Sequence, residues 1–373
     1  MKLKSIAKWF LAIMLITPAV INALPVKVSG EMWNRWTNEQ IKAADGKDKT
    51  SKNYMSLERG YFGLETNFTP NTKGRFTIDM FSSEGETDGA GLKLKYGYVD
   101  FANLVPVSDM NLTAGLQKVY FGTLYDWNYT IIGKAPADEY KVANSSDYGI
   151  SLNGYLPNGF GEYALGAYNG EGYKKVGSAL ADNTNMAYLA NMRITPIAGL
   201  TLGGSYMANS VKREKALADD APVAAYEEQG LMDGVLRLNY SIVDFWGEYI
   251  SKDMSFPNAD DKDYTASGFM IMPIISLSSI IEKDIQVLFR YDNWDESDNP
   301  SDTAKYLLNA TTVGVNYNFL HDDSNVPAMQ LQLNYAMKKY DEDKSAASYA
   351  DGAKDINQIM LQLKWRFAGT ISN

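Results

Sequence analysis

Cysteine is absent from the 373 residues, so the chain can form neither a disulfide framework nor a metal site built from thiolates. The only histidine, His321, lies beside two aspartates, where we expect a solvated turn residue. There is no phosphate loop, no paired metal motif and no nucleophile with a base in reach. The sequence therefore predicts no enzyme, no cofactor and no metal site.

Long apolar runs are also missing. After residue 23 no run reaches eighteen apolar residues, which excludes a helical membrane protein. Residues 1–23 combine three lysines with a short apolar run, the pattern of a signal peptide for Sec-type export, with an uncleaved amphipathic start as the alternative. We expect cleavage near Ala23 and one mature domain at 24–373.

Basic residues are outnumbered, with 35 Lys and Arg against 45 Asp and Glu. Three of the 35 lie in the predicted signal peptide, so the mature chain keeps 32 against 45 and a net charge near −13. Such acidity argues against nucleic acid as a partner.

What the chain does have is period-two alternation. In the segment 355–367 apolar residues alternate with polar ones, so that one strand face is apolar and the other polar and basic. Sixteen such segments follow one another, separated alternately by short turns and long polar loops. This pattern predicts an all-β fold, a transmembrane antiparallel β-barrel of about 16 strands with short periplasmic turns and long extracellular loops, in the bacterial outer membrane. A soluble β-sandwich is the alternative, but it would need less polar inward positions.

Strand ends are predicted from the point where alternation stops. The first strand is expected at 26–36, followed by a charged loop at 38–53. Strands at 200–207 and 231–242 are expected to flank another long loop. Blurred alternation near Gly97 predicts a β-bulge.

The polar strand faces predict the residues that line a pore. Strand parity puts seven of the eight arginines on those faces and leaves Arg213 in a loop. Two interpretations stay open: the arginines pair with lumenal acids such as Glu65, Asp79, Glu162, Glu248 and Asp292 and stiffen the wall, or they line a path for anions. The pore-lining candidates, of which the first three are expected nearest mid-height, are Arg59, Arg237, Arg290, Asp292, Arg75, Arg193, Lys364 and Arg366.

A long loop at 122–146 is unusually aromatic and apolar. Loops of this length in compact folds are usually functional, so we expect it to fold into the barrel and narrow it. A surface cap or a subunit contact is the alternative. The constriction candidates are Tyr125, Trp127, Lys134, Asp138, Glu139 and Lys141.

Acidic residues concentrate in four other long loops, at 84–88, 260–263, 295–302 and 341–343. They are either solvated loop tips or sites for divalent cations that bridge lipopolysaccharide.

Three C-terminal motifs resemble a known family. Arg-Tyr-Asp-Asn-Trp-Asp at 290–295, Val-Gly-Val-Asn-Tyr at 313–317 and Leu-Gln-Leu-Asn-Tyr at 331–335 are similar to the C-terminal part of the phosphate-selective porin O and P family. The resemblance implies a sixteen-stranded outer-membrane barrel, a homotrimer that passes small solutes by diffusion, with Arg290 facing the lumen.

The sequence thus predicts a porin, a passive diffusion channel for small hydrophilic solutes and ions with a weak, phosphate-like anion preference. Its partners would be outer-membrane lipid, lipopolysaccharide and the solutes themselves. The alternative is a structural or ligand-binding outer-membrane barrel without an open pore.

Overall fold

The computed structural model describes most of the mature domain. The predicted signal peptide at 1–23 lies outside the described residues, as do most of the acidic loop positions. The described ranges are 24–43, 48–82, 89–104, 109–173, 185–215, 223–256, 263–299, 307–322, 326–340 and 353–372.

Sixteen β-strands make up most of the described chain. Two single-turn α-helices, α1 (Pro136–Glu139) and α2 (Ser278–Ile281), and a 3-10 turn at Pro157–Gly159 interrupt the connections. Among the described residues no helix is long and apolar enough to cross a membrane. The strands are β1 (Val26–Ala43), β2 (Asp48–Thr69), β3 (Thr72–Ser82), β4 (Ala90–Ala102), β5 (Met110–Lys118), β6 (Ser146–Leu156), β7 (Gly161–Tyr168), β8 (Ala187–Ile197), β9 (Leu200–Lys215), β10 (Val223–Tyr240), β11 (Val243–Ser255), β12 (Tyr264–Ser276), β13 (Ile285–Asp295), β14 (Leu307–His321), β15 (Pro327–Tyr340) and β16 (Ala353–Ile371).

Every strand pairs antiparallel with its neighbours in sequence, and the sheet closes on itself. β1 pairs with β16 in continuous register from Val26 opposite Ile371 to Lys42 opposite Asp355. Closure gives every strand a paired neighbour on both sides. The predicted sixteen-stranded antiparallel barrel is confirmed.

The barrel has two distinct ends. The short connections, such as Ser241 and Ile242 between β10 and β11, lie at the end where β1 starts and β16 finishes, which we call the turn end. The longer connections leave from the opposite end, which we call the loop end. The chain from β5 to β6 starts at the loop end and spans 119–145.

Several strands run further than predicted. The expected loop at 38–53 is wrong, because β1 and β2 continue as a paired hairpin across most of it. The boundaries expected at 207 and 231 are wrong for the same reason: β9 and β10 pair as far as Lys215 and Val223, and Arg213 lies in a strand. Where both faces of a hairpin contact water, alternation is not needed to keep the backbone paired.

Two smaller features also concern register. The bulge in β4 lies opposite Thr77 and Ile78, at Lys95, two residues before the predicted Gly97. β16 continues past Phe367 to Ile371, so the residues after the terminal aromatic belong to the closing strand.

The pattern of burial is the reverse of that in a soluble protein, because apolar side chains are exposed and polar ones are buried. Val315 and Leu333 point outward and are 42% and 48% exposed, whereas the neighbouring Asn316 and Gln332 point inward and are 0% exposed. Polar side chains inside an open barrel would contact water. Their complete burial shows that something else in the chain lies against them, and that segment is the connection from β5 to β6.

Candidate functional site: the lumen loop

Residues 119–145, which we call the lumen loop, lie inside the barrel. Phe121, Ile131 and Ala137 are at most 1% exposed and belong to one apolar cluster with side chains of the barrel wall, among them Leu231 and Met270. Burying large apolar side chains of this kind stabilises the docked loop by about 1.5–3 kcal/mol each.

The apolar wall that receives the loop is centred on β12. Met270, Met272 and Ile274 point inward and are buried against the loop, whereas Phe269 and Ile275 point outward and are exposed. Both faces of β12 are therefore apolar. This arrangement explains why the sequence near residue 270 reads as a continuous apolar run.

Hydrogen bonds fix the start of the lumen loop to the wall. The Gly122 N–H donates to Ser205 Oγ at 3.0 Å. Thr123 donates its N–H and its hydroxyl to the two carboxylate oxygens of Glu248, at 3.1 and 2.6 Å. Arg193 donates to Asp126 at 2.6 Å and also to the Gly122 carbonyl. These wall residues come from β8, β9 and β11. The first residues of the loop after β5 therefore already contact strands three to six positions further round the barrel.

The tip of the lumen loop reaches the seam where the barrel closes. Asn316 and Gln332 donate to the Thr130 carbonyl at 2.7 and 3.0 Å. Lys364 on β16 donates to the Asn128 carbonyl at 3.2 Å. The ring of Tyr129 lies 4.5 Å from that of Trp33 on β1. The tip thus contacts strands on both sides of the seam.

The returning part of the loop contains α1 and is held by buried charges. Arg290 donates two bonds of 2.7 Å to Asp292 and a third of 2.7 Å to the Lys134 carbonyl. Lys338 pairs with Glu139 at 2.8 Å. Burial opposes the ionised form of Glu139, but Lys338, with Arg290 and Lys134 nearby, outweighs burial and lowers the pKa of this carboxyl to about 2.

The predicted constriction residues fall into two groups. Tyr125 and Trp127 hold the loop in place through hydrogen bonds. The Tyr125 hydroxyl donates to the Glu162 carboxylate, and the Trp127 indole N–H donates to the Gly133 carbonyl at 3.0 Å. Burial and the neighbouring Glu162 raise the pKa of Tyr125 despite the opposing effect of Arg193. Lys134 and Asp138 lie 4.0 Å apart with solvent-accessible side chains, and Lys141 is exposed. Their control of a constriction stays a prediction.

The structure brings most of the predicted pore-lining arginines to carboxylates. Three of the five expected acids do pair with arginine: Asp79, Asp292 and Glu162, the last at 3.6 Å from Arg193. The other two do not, because Glu65 pairs with Lys73 and Glu248 accepts hydrogen bonds from Thr123. Six arginines are paired, and the shortest pair of each is Arg35–Glu58 at 3.0 Å, Arg59–Asp79 at 2.5 Å, Arg193–Asp126 at 2.6 Å, Arg237–Asp244 at 2.9 Å, Arg290–Asp292 at 2.7 Å and Arg366–Asp322 at 3.2 Å.

One expected position is wrong. Arg237 does not lie at mid-height, because it is three residues from the turn-end boundary of β10 and pairs with Asp244 across that turn. Arg59 and Arg290 do lie near the middle of β2 and β13. Lys364 lies 3.5 Å from Glu31 and 5.4 Å from the Trp33 ring.

Between the lumen loop and the turn end lies a cavity of about 1540 Å³, which we call the vestibule. Its lining includes Trp33, Trp127 and Tyr129 as well as residues at the turn end of the barrel, such as Lys27 and Thr370. Six basic and five acidic side chains line it. The vestibule is therefore slightly basic in a chain that has ten more acidic than basic residues.

Several solved structures have a similar fold. An anion-selective porin from Comamonas acidovorans is similar at 14% identity and a TM-score of 0.59, with 92% of this chain and 99% of that chain covered. OmpT of Vibrio cholerae in its trimer form (10% identity, TM-score 0.61, 92% and 99% covered) and the outer-membrane channel DcaP of Acinetobacter baumannii (11%, 0.62, 92% and 98%) are similar as well. These solved structures share the barrel fold of this chain. No protein-family model matches the sequence, and no curated protein matches it.

Sequence reasoning missed several residues that hold the loop. Asp126 and Lys338 are charged, but their sequence positions do not show that they meet Arg193 and Glu139. Trp33 had a usable signal, since it shares the inward face of β1 with Arg35. Its contact with Tyr129 depends on where the loop tip lies, which alternation alone does not determine.

Proposed function

We propose that the chain is an outer-membrane porin, a passive diffusion channel for small hydrophilic solutes and ions. The observation that carries the proposal is the pairing of a large polar vestibule with a loop folded into the lumen. A sixteen-stranded barrel leaves an aqueous interior, unlike an eight-stranded one that side chains fill. The lumen loop then reduces the cross-section, and the charges beside it set ion preference.

The balance of charge supports a weak preference for anions. The vestibule is lined by one more basic than acidic side chain. The solved structures similar to this chain include a porin described as anion-selective. The motifs similar to the phosphate-selective family suggest phosphate-like oxyanions as solutes. Because most lumenal arginines are paired with carboxylates, we expect the preference to be small.

The assembly and location follow from the same proposal. Export to the outer membrane would place the exposed apolar band, with residues such as Val315 and Leu333, against lipid, and the loop end against lipopolysaccharide. A solved OmpT of similar fold is described in a trimer form, and we propose a homotrimer here. Mass measurement in detergent tests that state.

A closed barrel is the second candidate, and one observation favours it. The loop tip crosses the lumen to touch β1, β14, β15 and β16, through the contacts of Tyr129, Thr130 and Asn128. If no gap persists beside the tip, the protein is a structural or ligand-binding barrel that does not conduct ions.

Planar-bilayer recordings separate the two candidates. A porin gives discrete conductance steps with purified protein, and a salt gradient then gives a small reversal potential of the sign that anion preference requires. Absence of steps over the full range of voltage and salt contradicts the channel, and a cation-selective reversal potential contradicts the anion preference. Protein unfolded by heating in detergent serves as the control.

A further inference from the structure

One arginine of the barrel differs from the others. Of the seven arginines whose side chains the structure describes, Arg75 is the one without a carboxylate partner within ion-pair distance. Its Nε donates to the Thr77 hydroxyl at 3.2 Å, and its guanidinium lies 4.8 Å from the centre of the Tyr96 ring. Arg75 lines the vestibule and is only half-buried.

The carboxylates near Arg75 are engaged elsewhere. Glu65 lies directly opposite Arg75 in the sheet, yet it pairs with Lys73 at 2.9 Å. Asp100 accepts a bond of 2.6 Å from the Thr113 hydroxyl. A guanidinium whose ordinary partners are occupied keeps N–H groups available for an incoming anion.

A second cation faces the same space. The Lys118 ammonium lines the vestibule, donates to the Tyr125 carbonyl at 3.0 Å and lies close enough to Arg75 for the two charges to repel. The carboxylates of Asp100, Asp126 and Glu162 also act on the Lys118 charge, so this part of the vestibule carries both signs. Arg75 and Lys118 supply its cationic groups.

Aromatic rings also line the vestibule. Tyr61, Tyr96, Tyr120 and Tyr125 all line the vestibule and are half-buried. The rings of Tyr120 and Tyr125 lie 5.1 Å apart, and Trp33 meets Tyr61 edge-on at 6.0 Å. Rings of this kind offer a flat apolar surface, and phenol hydroxyls bind polar groups at its edge.

We propose that the vestibule holds a binding site for organic anions that carry a flat ring, such as aromatic carboxylates. The carboxylate would accept hydrogen bonds from Arg75 with Lys118 nearby, and the ring would pack against Tyr96 and Tyr120. An inorganic oxyanion would use only the cations and leave the rings without a role. This inference rests on the proposed channel for its biological meaning, because the site would lie on the solute path.

Benzoate is the probe, titrated calorimetrically into the purified protein in detergent micelles. We expect saturable benzoate binding, with affinity for acetate and for benzyl alcohol each at least about tenfold weaker, since each lacks one of the two groups recognised. Equal binding of benzoate and acetate would refute the role of the rings, and tighter binding of phosphate than of benzoate would refute the ring-bearing class.

Variants locate the site. Arg75→Gln should weaken benzoate binding at least about tenfold, or about 1.4 kcal/mol. Lys27→Gln removes the same charge from another part of the vestibule lining, and it should change affinity less than about twofold. Tyr96→Leu should weaken binding, whereas Tyr155→Leu, at an exposed position of the same lining, should not. Equal losses in Arg75→Gln and Lys27→Gln would mean that bulk charge rather than a site attracts the anion.

The same proteins in planar bilayers separate this inference from the proposed function. Intact conductance without benzoate binding contradicts the site alone. Benzoate binding that depends on Arg75, in a protein that never conducts, contradicts the channel alone. Since Arg75 has no ion pair to lose, the Arg75→Gln protein should fold. A shift in its gel mobility on heating is the check that it has folded.

Discussion

Replacing Arg290 by glutamine should release the lumen loop. Arg290 is 5% exposed and donates to both Asp292 and the Lys134 carbonyl, so it joins the barrel wall to the returning arm of the loop. Removing one partner of a buried ion pair costs about 3–5 kcal/mol, because the other charge stays buried. The bond from the guanidinium to the Lys134 carbonyl accounts for about 1.5–3 kcal/mol of the docking free energy. The undocked fraction should therefore rise about 10- to 100-fold.

Cysteine labelling measures that fraction cleanly, since the natural chain has no cysteine. Ala135 is 3% exposed at the start of α1, so the thiol in Ala135→Cys reacts with a water-soluble maleimide only when the loop undocks. We expect labelling about 10- to 100-fold faster when Arg290→Gln is added. Arg237→Gln is the matched control, because its ion pair with Asp244 is partly exposed and joins β10 to β11 beside the turn end.

The double variant Arg290→Gln with Asp292→Asn separates the cost of the unpaired Asp292 carboxylate from the release of the loop. It removes the stranded carboxylate, so overall stability against urea should recover in part while labelling stays fast. Equal labelling rates in the Arg290→Gln and Arg237→Gln proteins would refute the claim that Arg290 holds the loop.

Three further changes test other parts of the structure. Because the pKa of Glu139 is lowered from 4.5 to about 2, its stabilisation is complete above pH 4.5 and is lost as the pH falls towards 2. Glu139→Gln should thus melt below the wild type at pH 7 and match it near pH 2, and a constant difference would contradict the ion pair. Val315→Arg, on the outward face, should cost about 2–4 kcal/mol in lipid, whereas Gln286→Arg on the inward face should cost much less; equal urea midpoints would contradict the assigned faces. Gly122→Ala should destabilise the protein and speed loop labelling, because a Cβ there overlaps buried carboxylate oxygens and the φ of +50° strains any other residue; unchanged labelling would contradict that close approach.

Alternation was enough to predict the architecture. Each strand must present apolar residues on one face and polar residues on the other, so Leu331, Leu333 and Tyr335 identify the outward face of β15 without any tertiary knowledge. The same rule fails where its physical cause ends. Beyond the apolar band, as at 38–53, backbone pairing continues without the pattern.

The loop was recognised from its composition but its contacts were not. Aromatic and apolar residues at 122–146 need a surface to cover, and β12 shows the matching surface because it is apolar on both faces. Which side chains meet depends on the path of 27 residues through the lumen, at 119–145. Pairs such as Lys338 with Glu139 follow from that path rather than from local sequence.

Single-channel conductance of the wild type and of a loop-shortened variant tests whether the lumen loop narrows a water-filled channel. In the variant a short Gly-Ser linker replaces residues 126–140, while the wall contacts of Gly122 and Thr123 are kept. If the lumen loop narrows a water-filled channel, the wild type conducts in discrete steps and the variant conducts several-fold more. A wild type that never conducts, or a variant with unchanged conductance, would contradict the account.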